Sequence, residues 1–206
     1  MTTVLVTGFG RFPGAPVNPT AALATRLARA ARRRGVDCVA HVFATTYASI
    51  DRELPTLIST HRPDAIVMLG LAARRRHVSI ERFARNRVST WFPDAIGVVP
   101  PRAAIAAGAG ASMRGRAAFS RLLAAARATR VKTRLSRDAG SYLCNYVYWR
   151  ALEAAALPGG PRRVVLVHVP RVGQQFRVRA RARRREFTVD QLFRAGAAIL
   201  AAVGRR

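Results

Sequence analysis

Carboxylates are scarce in this 206-residue chain: 10 Asp and Glu stand against 36 Lys and Arg, giving a formal charge of +26. Lysine is scarcer still, with Lys132 the only one. Such a balance raises a nucleic-acid or anionic-surface binder as one reading. The other is an arginine-for-lysine usage spread over the whole surface, and two points favour it. Phosphate-tracking surfaces commonly use both cations, and arginine is scattered here, with local runs only at residues 32–34, 74–76 and 177–185. No specific nucleic-acid partner is therefore expected. Cysteine is limited to Cys38 and Cys144, too few for a disulfide scaffold. With only 4 His beside them, no dedicated metal site is expected. No apolar run approaches the roughly 18 residues of a membrane span. The opening MTTVLVTGFG has neither the basic nor the apolar region of a signal peptide, so a cytoplasmic location is expected.

What is present is globular: hydrophobic residues make up 50% of the chain and charged residues 22%. Strand and helix patterns alternate along it. Residues 3–7 form a nearly continuous apolar run, as a strand buried on both faces does. Asn18-Pro19 reads as an N-cap with Pro at the first helical position, and Leu23, Leu27 and Ala30 then share a face until Gly35. The pattern predicts strands over 37–43, 64–69, 77–88, 131–135 and 164–169, and helices over 49–59 (bent or restarted at Pro55), 116–128 and 139–157. Residues 103–111 are a small-residue tract with weak signals. Thr188 and Gln191 have capping-box spacing and open a terminal helix running to about Val203. Residues 177–185 fall in a connection and read as a solvated or mobile surface segment. Repeated strand–helix units predict one α/β domain over residues 1–206, with helices on both faces of a sheet.

In such sheets, sites form beyond the carboxyl ends of strands. Residues 8–14, 70–74 and 168–170 leave three predicted strands there. Cys144 lies in the first turns of the long helix, where the helix N-terminus favours a thiolate. A cysteine, a histidine and an acid supply nucleophile, base and orienting group, and Cys144, His168 and Glu81 fit those roles. Each has a plainer reading: a buried thiol, the polar end of a core strand, and a surface carboxylate. Spacing alone does not choose between them. Cys38, inside a predicted strand, reads as inert packing.

The segments VLVTGFGRFPGAPVNPT, IERFARN, DAGSYLCNYVYWRAL and VVLVHVP resemble the type I pyroglutamyl peptidases (pyrrolidone-carboxylate peptidases), over essentially the whole chain and in the family's order and spacing. The AGSYLCN stretch is the most specific. The resemblance implies a three-layer α/β/α sandwich around a mixed, mostly parallel sheet. It implies a cysteine exopeptidase that hydrolyses the amide after an N-terminal pyroglutamyl residue and releases 5-oxoproline, with no metal or cofactor. It makes Cys144 the nucleophile, His168 the base and Glu81 the acid that orients it. Phe9 and Phe12 match pocket-lining positions, with Leu71, Tyr142 and Asn18 as further substrate-binding candidates; Asn18 also has the plainer reading of a helix cap. Homo-oligomers are common in the family, so a dimer or tetramer is a possible assembly.

The chain departs from the family pattern at Arg11, where Pro is usual, and at residues 70–74, which read GLAAR in place of the start of GQAGGR. Trp91 stands where Arg is usual and Ala95 where Asn is usual. These departures leave a second hypothesis open, a member with altered specificity or lost activity.

Overall fold

The computed structural model describes residues 2–12, 14–173 and 187–204. The predicted 177–185 segment lies outside them. Among the described residues, eight strands and five helices follow in the order β1 (Thr3–Phe9), α1 (Pro19–Arg32), β2 (Asp37–Phe43), α2 (Tyr47–His61), β3 (Ala65–Leu71), β4 (Val78–Glu81), β5 (Phe83–Arg85), β6 (Ser112–Arg114), α3 (Phe119–Ala128), β7 (Thr133–Ser136), α4 (Leu143–Ala156), β8 (Arg163–Val169) and α5 (Val189–Gly204). Six strands make one sheet in the order β2-β1-β3-β8-β4-β7. All neighbours are parallel except β4 and β8. β5 and β6 pair separately as a small antiparallel ribbon.

The central strands are apolar on both sides because both sides are covered. Val4, Val6, Val67, Leu69, Val165 and Val167 face a cluster built with α1, α3 and α5. Leu5, Ile66, Met68, Val164 and Leu166, one residue out of phase, face a second cluster built with α2 and α4. This is the expected three-layer sandwich with a mixed sheet.

Several elements start or stop elsewhere than the pattern predicts, each for a visible reason. The 77–88 strand breaks at Arg82, whose N–H stays with Ser136 O while its carbonyl turns to accept from Gly115 N. Beyond that point β5 pairs with β6, which follows the small-residue tract and was not predicted. α3 begins at Phe119 because Arg116 is taken by a two-way bridge to Val164. Pro55 neither bends α2 into two nor restarts it. The long helix begins at Leu143 and not at residue 139, because Gly140 has φ +82° and its N–H is held by Asp138 Oδ1. The capping box is present: Gln191 N donates to Thr188 Oγ1 at 3.2 Å and Thr188 N to Gln191 Oε1 at 3.0 Å.

Candidate active site

The sheet register brings a histidine and a glutamate together. In the antiparallel β4–β8 pair, Ser79 lies opposite His168 and Glu81 opposite Leu166. Side chains two residues apart on a strand share a face, so Glu81 and His168 are diagonal neighbours within reach of long side chains. His168 Nδ1 lies 2.8 Å from Glu81 Oε1, and Glu81 is fully buried.

The other side of the imidazole meets the sulfur. Cys144 Sγ and His168 Nε2 converge over the same backbone position, Gly70. Room for that contact comes from Gly70, which lies opposite His168 in the parallel β3–β8 pair. A methyl group at Gly70 would stand 2.7 Å from Cys144 Sγ and 3.0 Å from His168 Nε2. The glycine is required by space, since its φ is ordinary.

Cys144 is the second residue of α4 and is half-buried. The N-cap residue Tyr142 makes no side-chain cap bond, so that end keeps unspent backbone donors near the sulfur. The next residue, Asn145, locks the helix start in place. Its Oδ1 accepts from Arg85 N at 2.8 Å and its Nδ2 donates to the carbonyls of Arg85 and Arg87.

Beneath the pair lies a cation that the sequence did not single out. Arg75 Nη1 donates to the same Glu81 Oε1 that His168 holds, while Nη2 donates to Asp138 O at 2.6 Å. Arg75 thus ties the Glu81 carboxylate to the turn that leads into α4. Its side chain is 26% exposed, against 0% for Glu81. Within a run of three arginines it reads as surface; only its separation of six residues from Glu81, at the mouth of the same sheet, hinted at pairing. Burial by itself pushes the His168 pKa down, but the hydrogen bonds and charges of Cys144 and Glu81 outweigh it and raise it to about 9.

This thiol–imidazole–carboxylate chain stands at one end of the sheet in a chain that a family model, that of pyroglutamyl peptidase, matches over residues 2–204. The chain belongs to the pyroglutamyl peptidase family. A pyrrolidone-carboxylate peptidase of Gloeobacter violaceus is 34% identical over 176 residues, covering 84% of this chain and 83% of that one. One of Thermococcus kodakarensis is 30% identical over 167 residues, covering 81% and 80%. Among solved structures, pyroglutamyl peptidase I of Bacillus amyloliquefaciens superposes with a TM-score of 0.84 at 24% identity, over 99% of this chain and 97% of that one. The latter likeness is one of fold.

The remaining candidates from the family motif fall in three places. Phe12, Leu71 and Tyr142 stand around the site: the Phe12 and Tyr142 rings are 6.3 Å apart, Tyr142 hydroxyl donates to Pro93 O at 2.8 Å, and Phe12 and Leu71 line a cleft of about 590 Å³. Phe9, by contrast, is 3% exposed and packs in the core beside Phe43, ring centroids 5.9 Å apart. Asn18 needs correction as a substrate ligand. Its Oδ1 accepts from both Thr20 N and Thr20 Oγ1 and its Nδ2 donates to Gly10 O, so the amide is committed to capping α1 and holding the first loop. Of the family departures, Trp91 is 87% exposed, and Ala95 N donates to Thr45 O at 2.9 Å. Neither enters the Cys144–His168–Glu81 chain of contacts. Cys38 is buried and its pKa is pushed up to about 11 by that burial, which makes it a poor nucleophile.

Proposed function

We propose that Cys144, His168 and Glu81 are the nucleophile, general base and orienting acid with which this chain hydrolyses the amide bond after an N-terminal pyroglutamyl residue. The observation that carries the reading is the convergence of Cys144 Sγ and His168 Nε2 over Gly70, with His168 Nδ1 2.8 Å from Glu81 Oε1, in a member of the pyroglutamyl peptidase family. The raised pKa of His168 suits it to hold the proton that Cys144 gives up at neutral pH. The thiolate attacks the pyroglutamyl carbonyl. Backbone N–H groups at the start of α4 are placed to receive the developing oxyanion, since no side chain caps them. His168 gives its proton to the leaving amine, which departs with the rest of the peptide. Water, deprotonated by the now neutral His168, then opens the thioester and frees 5-oxoproline.

Arg75 is a positioning residue in this scheme. It shares Glu81 Oε1 with His168 and keeps the carboxylate aimed. Phe12, Leu71 and Tyr142 supply apolar walls suited to a neutral lactam that has no ammonium to anchor. A reducing, cytoplasmic setting belongs to the same reading, because the mechanism needs a free thiol.

The test is release of a fluorogenic amine from a pyroglutamyl amide. The parent protein should turn over, and Cys144→Ala should lose about 10³-fold or more. Iodoacetamide should label Cys144 and abolish activity in step, leaving Cys38 unmodified. Equal turnover by Cys144→Ala, or loss that tracks Cys38 labelling, would sink the assignment.

A further inference from the structure

Cys144 and Glu81 sit on different elements, and two buried side chains of α4 join those elements directly. Tyr148 is one turn beyond Cys144, and residues four apart share a helix face. It is fully buried, and its hydroxyl donates to the main-chain carbonyl of Glu81 at 2.9 Å. Room for that hydroxyl comes from Gly115, where a methyl group would overlap it. Gly115 is in turn held at the strand break after Glu81, its N–H donating to Arg82 O at 2.9 Å. Burial and the Glu81 charge push the Tyr148 pKa up, so the hydroxyl keeps its proton.

Asn145 makes the second join. It too is fully buried, and its three bonds, each of 2.8 Å, go to the backbone of Arg85 and Arg87, just beyond Glu81 in the chain. The other buried residues of α4, among them Leu143, Val147, Ala151 and Leu152, make apolar contacts against the sheet. Apolar packing is non-directional; it fixes the layer and leaves the helix free to slide or turn by fractions of an ångström. Hydrogen bonds constrain both distance and angle. We infer that Tyr148 and Asn145 are positioning residues for the reaction: together they set where the Cys144 sulfur stands relative to the Glu81 carboxylate. Both groups must meet one imidazole, so an error in either placement breaks the line. The inference rests on the proposed roles of Cys144 and Glu81, and it adds the residues that hold them in register.

The experiment compares Tyr148→Phe with Tyr146→Phe. Each variant keeps its ring and loses one hydroxyl of α4, but the Tyr146 hydroxyl donates to Asp51 of α2 and has no bond to β4 or β5. Tyr148→Phe should lower kcat on a neutral pyroglutamyl amide by about fivefold to 30-fold with KM within about twofold. Tyr146→Phe should leave both within about twofold, although it also removes a buried hydrogen bond. Asn145→Ser should lose more kcat than Tyr148→Phe, and where it does not fold the two tyrosine variants decide alone. A second measurement needs no turnover: the rate of Cys144 alkylation by iodoacetamide at neutral pH, with circular dichroism to verify folding. It should fall about threefold or more in Tyr148→Phe and stay at the parental value in Tyr146→Phe. A parent that alkylates in this pattern but does not cleave the amide would end the peptidase reading and leave this one standing. Parental kcat and parental alkylation in a folded Tyr148→Phe protein, or equal losses in the two tyrosine variants, would overturn it.

Discussion

Arg74, Arg75 and Arg76 are consecutive and identical, yet they belong to two different regions. Arg75 turns inward under the thiol, where it meets a fully buried carboxylate and a backbone carbonyl. Arg74 and Arg76 are exposed and line the cleft alongside. The difference lies in solvent. Around Glu81 water is excluded, so the carboxylate is tolerable only with partners, and removing one leaves a buried charge under-compensated. On the cleft wall the Arg74 guanidinium is exposed to solvent, which screens whatever it interacts with. A cation in the first region is held by a buried carboxylate and a backbone carbonyl; one in the second lies open to solvent.

The sharpest way to break this contrast is to neutralise the carboxylate that the first region is built around. Glu81→Gln should lower kcat by about 10²–10⁴-fold, because the amide brings no charge to His168 or Arg75 and can turn an N–H toward the imidazole, favouring the wrong tautomer. Steady-state kinetics on a neutral pyroglutamyl amide, with circular dichroism to verify folding, is the measurement. A folded variant with parental kcat would remove Glu81 from the mechanism.

Arg75 comes next. Arg75→Met should cost about 10- to 100-fold in kcat with KM little changed, since it misaligns the orienting acid without touching substrate. Arg75→Lys should restore part of the loss. A merely structural arginine would not move the alkaline limb of the pH profile, whereas a positioning one should shift it upward, since a neutral Met no longer repels the imidazolium or competes with it for Glu81 Oε1. If Arg75→Met and Arg74→Met gave equal losses on the neutral amide, the division between the two regions would collapse.

The smallest effect is in stability. The imidazole of His168 has its pKa raised from 6.5 to about 9 in the folded chain. The folded state therefore holds the proton more tightly than the unfolded one. That contribution is fully present below pH 6.5 and is lost as pH rises through about 9. Denaturant titrations of the parent should show stability declining over that interval by on the order of 1–3 kcal/mol. His168→Gln should flatten that part of the curve; an unchanged slope would mean that other groups set it.

The apolar strands of the central sheet were legible in the sequence because strands buried on both faces are written as unbroken hydrophobic runs: residues 3–7, 64–69 and 164–169 lie within β1, β3 and β8 or one residue outside them. The α1 cap at Asn18 and the capping box at Thr188 were legible for a similar reason, since both are local contacts over a few residues. The start of α4 was not, because Gly140 and Asp138 form a turn whose side-chain and backbone bonds compete with the helix. β6 carried no signal because a three-residue strand is held by its partner β5 more than by its own composition.

By itself the sequence determined which side chains have reactive chemistry. It supplied one cysteine at a predicted helix start, one histidine at a strand end and an acid in a strand pattern, and its motifs carried the resemblance to a peptidase family. Only the tertiary structure decided how they meet. The antiparallel register of β4 on β8 puts Glu81 diagonal to His168, Gly70 leaves the gap that the sulfur fills, and Arg75 alone of three arginines points inward. Those outcomes depend on pairing between segments dozens of residues apart, where a shift of one residue would turn Glu81 to the opposite face. The strand pattern written in the sequence is local and records none of it.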